Sequence, residues 1–297
     1  MKYGGFVLPS MNYEKMRKYA LKVEELGFDS IHSPDHLIGM NMPPRQRPED
    51  PLFESWTLMT ALAVETQKIK IGHSVLCNGF RNPALLAKMI STLDHISNGR
   101  VLTWLGAGWY KKEFNQYSYP FPKAGIRVSQ LEEAITIYKK MFTEDKVSFE
   151  GRFYTLKRTL NNPKSIQKPY PQLVIGTMSG LRVVDIACRE ADGINIPFMF
   201  DIAKLPERLS LIKENLKKYN RDPSEFEISI LYPVLLVNSQ EAMEKIPKGT
   251  NVFFGFPEDI KESFAALEDL GVKKIITMRV TSPDFDDPLK VFAEKVM

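Results

Sequence analysis

Gly72-His73-Ser74-Val75-Leu76-Cys77-Asn78-Gly79-Phe80-Arg81-Asn82-Pro83-Ala84-Leu85-Leu86-Ala87-Lys88 reads as one strand-turn-helix unit. Residues 69–75 read as a buried strand. An irregular Asn/Gly/Arg/Asn/Pro turn follows. Pro83 then opens an amphipathic helix over residues 84–96, closed by Asn98 and Gly99. In α/β folds ligands sit where the C-terminal end of a strand gives way to loop and helix, so this unit predicts both scaffold and site.

The same unit recurs on both sides of it. Upstream, residues 2–8 form a short apolar strand ended by Pro9-Ser10, and Asn12 caps a helix over 13–26 that Gly27 closes. A second strand over 28–33 runs into Pro34-Asp35-His36, and a helix covers 54–66. Downstream, a strand over 100–105 ends in Gly106-Ala107-Gly108-Trp109-Tyr110, and a helix covers 127–142. Residues 147–156 alternate as a two-stranded ribbon with Glu150-Gly151 at its turn. A strand over 172–176 passes through Thr177-Met178-Ser179-Gly180 into a helix over 181–190, followed by a strand at 192–196 and a helix over 204–219. A long strand over 227–237, bent at Pro233, precedes a short helix from Gln240 to near Pro247 and a brief apolar segment over 251–254. Then come a helix over 257–270 with Pro257 at its first position, a strand over 273–280 and a terminal helix from Pro288.

About eight alternations of strand and helix in 297 residues predict parallel βα units closed into a (β/α)8 TIM barrel with insertions, one domain over residues 1–297. The competing fold is a doubly wound sheet. Its dinucleotide signature is GxGxxG after the first strand, which Gly4-Gly5 does not supply. The aperiodic connectors over 37–51 and 111–125 are too long for routine loops and are expected to shape a substrate pocket.

Composition narrows the class. The chain is 43% hydrophobic and 26% charged, and its net charge of +4 is scattered with no basic run, which argues against a nucleic-acid surface. No stretch of about 18 uninterrupted apolar residues spans a membrane, and the N-terminus lacks a signal-peptide pattern, so a cytoplasmic location is expected. Cys77 and Cys188 read as two free thiols in a reducing compartment. With no CxxC and no Cys/His cluster, no metal site is expected. A small-molecule substrate and a homodimer are the expected partners.

The strand ends of such a barrel carry few titratable groups: one well-placed histidine, several small residues, one aromatic pair, and neither a carboxylate cluster nor a nucleophile elbow. Small residues over a barrel mouth suit a flat cofactor. Gly176-Thr177-Met178-Ser179-Gly180 offers either a phosphate cradle at a helix start or a plain turn with Ser179 as cap. His36 is either an acid/base group or a solvated ring beside a turn-capping Asp35. Trp109-Tyr110 either stack on a ring or pack a lid. Glu113 either accepts hydrogen bonds or is a solvated charge, the commoner case. For Arg81 the expected role is pairing with a neighbouring carboxylate rather than an anion site. His73 and His95 read as structural.

An ordered set of motifs resembles the bacterial luciferase-like monooxygenase superfamily. It comprises Glu25-Leu26-Gly27-Phe28-Asp29-Ser30 with Asp35-His36; Arg81-Asn82-Pro83-Ala84-Leu85-Leu86-Ala87-Lys88 with Thr92-Leu93-Asp94 and Ser97-Asn98-Gly99-Arg100; and Gly106-Ala107-Gly108-Trp109 with Glu113, Phe121-Pro122 and Arg127. It continues through Pro171, Ile175-Gly176, Ala187 and Ala191-Asp192-Gly193 to Gly255-Phe256-Pro257-Glu258 and Leu270-Gly271-Val272. Within the superfamily, the chain is most similar to the F420-dependent oxidoreductases. The resemblance implies the deazaflavin F420 at the barrel mouth, with FMN as the alternative cofactor. It also implies a non-prolyl cis peptide at Ser74–Val75 behind the cofactor ring. Asp35 and His36 would lie beside that ring, Gly106, Ala107, Gly108 and Trp109 along it, and Gly176, Thr177, Met178, Ser179 and Gly180 at the phosphate. His36 would be the catalytic proton carrier. The activity so implied is hydride transfer between F420 and a small organic substrate; the alternatives are an FMN-dependent monooxygenase and a cofactor-binding barrel without turnover. Two departures stand out. Gly176-Thr177-Met178 replaces a run of glycines, and Trp109 stands where the family's sugar-phosphate dehydrogenases carry a catalytic glutamate.

Overall fold

The structure, a computed structural model, describes residues 1–10, 12–40, 47–178, 180–246 and 252–297. Ser179, Pro247, Asn251 and residues 41–46 of the connector over 37–51, which entered the sequence reading, lie outside the described residues. The chain opens with β1 (Lys2–Phe6), α1 (Tyr13–Glu25), β2 (Ser30–Ser33), α2 (Ser55–Glu65), β3 (Lys70–His73), β4 (Leu76–Cys77) and α3 (Pro83–Ile96). It continues through β5 (Thr103–Gly106), α4 (Lys111–Gln116), α5 (Ala124–Thr143), β6 (Val147–Glu150), β7 (Thr155–Thr159), β8 (Leu173–Gly176), α6 (Leu181–Glu190) and β9 (Gly193–Ile196). A short 3-10 turn precedes α7 (Leu205–Lys218), followed by β10 (Glu227–Leu236), α8 (Gln240–Glu244), β11 (Phe253–Gly255), α9 (Pro257–Asp269), β12 (Lys274–Thr281) and α10 (Pro288–Lys295).

Nine parallel strands follow the order β3-β2-β1-β12-β10-β9-β8-β5-β4, with β11 added on β10. The two ends of that order, β3 and β4, are consecutive in the chain and separated only by Ser74 and Val75. The expected strand over 69–75 is therefore one barrel strand in two pieces, and the sheet is the (β/α)8 barrel. The Ser74–Val75 peptide is cis, as the resemblance implied.

Two compact packing units divide the chain: Met1–Val7, Tyr19–His32 and Gly176–Met297 form one, Leu8–Lys18 and Ser33–Ile175 the other. In the first, β1 pairs with β2 and β12, β10 with β9 and β12, and the register shifts between Tyr232 and Pro233, where the bend was expected. Pro233 has no N–H to give the ladder, and the shift accommodates that loss. In the second, β5 pairs with β4 and β8. Leu173, Val174 and Ile175 are fully or almost fully buried, the near-continuous apolar pattern of a parallel strand covered on both faces.

Local chemistry sets the helix starts. Asn12 Oδ1 accepts the Lys15 N–H at 2.9 Å ahead of α1. Asn82 Oδ1 accepts the Ala84 N–H at 2.9 Å, with Pro83 in the first turn of α3, where its missing N–H costs nothing. Elsewhere tertiary contacts moved the boundaries. The ribbon is β6 and β7, but its turn spans residues 151–154 rather than sitting at Glu150-Gly151. The Glu133 carboxylate accepts the N–H groups of Arg152, Phe153 and Tyr154 at 2.8, 3.0 and 3.2 Å and holds that wider turn. The connector over 111–125 contains α4 and the start of α5. Both cysteines are buried free thiols, and burial pushes the Cys188 thiol up to about 12. Among the described residues no helix is long and apolar enough to cross a membrane.

Candidate active site

Asp35 and His36 follow β2 and point to different partners. The Asp35 carboxylate is 3% exposed. It accepts the Cys77 N–H at 2.8 Å and a two-point contact from Arg81, at 2.7 and 3.1 Å. Arg81 also reaches Glu54, whose carboxylate accepts the Trp56 and Thr57 N–H groups at 3.2 and 2.7 Å and caps α2. Burial works against the Arg81 charge, but the Asp35 and Glu54 carboxylates outweigh it and drive the guanidinium pKa up. Burial likewise opposes the Glu54 carboxylate, which the Thr57 amide, Arg81 and the Trp56 amide nevertheless hold below its ordinary value. This planar two-point pairing ties the end of β2 to β4 and to the start of α2. Beside it, His73 stacks on Trp56 with ring centroids 5.5 Å apart and planes 3° from parallel, and burial pushes its pKa down to about 4. Burial and the Asp35 charge push the Cys77 thiol up.

His36 meets Glu113. Its Nδ1 lies 2.9 and 3.2 Å from the two Glu113 carboxylate oxygens, and the Leu37 N–H donates to the same carboxylate at 3.0 Å. Glu113 is 2% exposed, against the solvated charge expected from sequence. The cause is its neighbour. Phe114 packs at 4.9 Å from both Phe80 and Phe121, and burying that ring against Cys77 and Phe80 carries the first turn of α4 inward. Glu113 is thereby delivered under the chain after β2. Trp109 and Tyr110 stand edge-on to the His36 ring, at 5.8 and 6.3 Å. Trp109 is exposed, so the aromatic pair borders an open face rather than a packed lid.

Small residues frame that face. Ser74 and Val75 are half-buried while Gly72, His73, Leu76, Cys77 and Asn78 around them are buried. Across the β4–β5 ladder, Ala107 and Gly108 are half-buried beyond the buried Gly106. The side chains of Ser74, Val75, Gly106, Ala107 and Gly108 are no larger than valine's, so a planar ring can approach the backbone closely. Gly108 has φ +79°, and a Cβ there would lie 2.7 Å from Cys77 Sγ and 2.8 Å from Phe114 Cζ, so only glycine fits. Its carbonyl accepts from Arg127 Nε at 3.2 Å, and that guanidinium stacks 3.9 Å over Phe121.

In the other packing unit, residues 176–180 link β8 to α6. Thr177 is buried and donates its N–H to Asn195 O at 3.0 Å. Gly180 is the N-cap of α6, so these residues sit at a helix N-terminus. Met178 is exposed, and Ser179 lies outside the described residues.

The structure thus brings His36, Trp109 and Glu113 together and places Ser74, Val75, Gly106, Ala107 and Gly108 at adjoining strand ends. The expected pairing of Arg81 is present, with Asp35 as its partner. The strength of the Glu113 contact was missed. The signal available for it was the buried Phe114 beside it in an otherwise polar run.

A family model for luciferase-like monooxygenases matches residues 1–275. Among curated relatives, an F420-dependent glucose-6-phosphate dehydrogenase of Amycolatopsis mediterranei is 32% identical over 59% of this chain and 51% of its own. An FMNH2-dependent dimethylsulfone monooxygenase of Pseudomonas putida is 34% identical over 48% of this chain and 39% of its own. The matches thus span about half or less of those relatives' length. Among solved structures, an F420-dependent secondary alcohol dehydrogenase superposes with a TM-score of 0.83 at 20% identity, covering 99% of this chain and 98% of that one. The F420-dependent tetrahydromethanopterin reductase of Methanopyrus kandleri superposes with a TM-score of 0.77 at 20% identity, covering 99% and 98%. These likenesses carry the barrel fold, and the sequence match extends over most of the chain: the protein belongs to the luciferase-like monooxygenase family.

Proposed function

We propose that the protein is an oxidoreductase that transfers a hydride between F420 and a small organic substrate, with His36 handling the accompanying proton. The observation that carries this reading is the His36 ring, with Nδ1 held by Glu113 beside an exposed Trp109 and a shelf of small residues. F420 supplies the hydride chemistry when bound. Ser74, Val75, Ala107 and Gly108 are proposed to back its ring, and Gly176, Thr177, Met178 and Gly180 to take a phosphate. Asp35 enters as the buried anchor that keeps Arg81 and the β4 amide in place around that shelf. His36 Nε2 takes the hydroxyl proton of a substrate being oxidised, or returns it to a carbonyl being reduced. Relatives named as F420-dependent dehydrogenases support this assignment.

The dimethylsulfone monooxygenase supports a second reading, an FMN-dependent monooxygenase. Titration of the purified chain with F420 and with FMN, followed by absorbance and fluorescence, separates the two. Tight F420 binding with substrate-driven reduction is expected. Binding of FMN alone, with oxygen consumption, overturns the F420 assignment. Tight binding with no reduction by any donor favours a barrel without turnover.

A further inference from the structure

We infer that Glu113 is a positioning residue that selects the His36 tautomer, placing the hydrogen on Nδ1 and leaving Nε2 as the atom that exchanges a proton. The catalytic half of this inference rests on the proposed function; the tautomer half does not.

Three observations carry it. Both carboxylate oxygens of Glu113 lie within hydrogen-bond distance of His36 Nδ1, so that nitrogen must present a hydrogen to them. A carboxylate accepts only, and a bare Nδ1 lone pair facing it would repel. The carboxylate is nearly inaccessible to water, with a side-chain exposure of 3%, so its hydrogen bonds must come from protein donors. One of those is the Leu37 amide, adjacent in the chain to His36. The two donors fix the position of the carboxylate relative to the same short segment, so ring orientation and tautomer are set together. The ring keeps 15% side-chain exposure, and its remaining nitrogen, Nε2, has no partner among the described residues. Which ring nitrogen carries the hydrogen is determined by the bond the other makes.

Glu113→Gln tests the inference with little change of shape. The Leu37 N–H needs an acceptor, so the Gln oxygen faces it. The Gln NH2 then faces His36 Nδ1 and forces that nitrogen to accept, which moves the hydrogen to Nε2. In cofactor-free protein with 15N-labelled histidine, on the alkaline side of the ring titration, the native chain should show a protonated Nδ1 and a bare Nε2. Glu113→Gln should show the reverse. A native spectrum with the hydrogen on Nε2, or an unchanged tautomer in a folded variant, overturns the proposal. Should the variant fail to fold, the native spectrum alone decides.

In turnover, Glu113→Gln should lower kcat about a hundredfold or more, as removing an orienting carboxylate does in a catalytic triad, with KM and cofactor affinity nearly unchanged. Glu113→Asp should recover part of that loss. An equal loss of affinity and kcat in both variants overturns positioning in favour of a general packing role. If turnover with F420 is absent from the native chain while the tautomer is as expected, the functional reading fails and the tautomer assignment stands.

Discussion

Asp35 and His36 are consecutive residues in opposite settings. Asp35 is sealed in a cluster in which every charge has a partner: two contacts from Arg81, one from the Cys77 amide, and Glu54 on the far side of Arg81. Among the described residues His36 is held at one nitrogen only, and it stays partly open beside Trp109. A buried, fully satisfied ion pair has no proton to spare and works as a clamp. A ring held at one end retains a free end for chemistry. The contrast teaches that the Asp-His pair is an anchor followed by a partly open ring, the one proposed to carry the proton, rather than two groups in the same setting.

The largest expected effect separates the two directly. His36→Asn keeps a donor where Nδ1 stood, so Glu113 stays satisfied, but it removes Nε2. Turnover should fall ~10²–10⁴-fold, with little change in the thermal midpoint. Steady-state rates and a melting curve on one preparation check both halves. Asp35→Ala should do the converse. It leaves Arg81 buried with half its partners, at a cost of about 3–5 kcal/mol in urea unfolding. A variant that keeps native stability and loses cofactor binding instead would make Asp35 a direct ligand and break the contrast.

The stacked His73 adds a pH test of the anchored side. Its pKa falls to about 4 on folding, so between about pH 6.5 and 4 the unfolded chain binds a proton that the folded chain refuses. Stability should therefore fall as the pH is lowered across that window, by about 3 kcal/mol in all. Unfolding at stepped pH values should show this slope reduced in His73→Phe; an identical slope would remove His73 from the explanation. The smallest effect is expected at Gly108→Ala. There the positive φ and the Cys77 and Phe114 contacts predict about 1–3 kcal/mol of destabilisation from overpacking, read in the same unfolding assay.

Much of this was legible from residues alone. Periodicity and punctuation located the strands and helices, because a buried parallel strand needs an apolar run and helix starts need caps such as Asn12 and Asn82. Arg81 was correctly expected to pair. The burial of Glu113 was not legible, since its one local signal, the adjacent Phe114, says that an apolar ring must dock but not where. Its burial depends on Phe114 docking against Phe80, a contact between positions 34 residues apart in the sequence.

By itself the sequence determined the (β/α)8 alternation, the turn chemistry and the candidate set at the strand ends. Those follow from short-range patterns of hydrophobicity, glycine and proline. Only the tertiary structure decided which members of that set touch. It broke the third barrel strand at Ser74–Val75, closed Asp35 onto Arg81 and opened His36 toward Trp109. The reason is physical: a charge's role depends on which partners and how much water surround it, and both are set by chain segments far away in sequence.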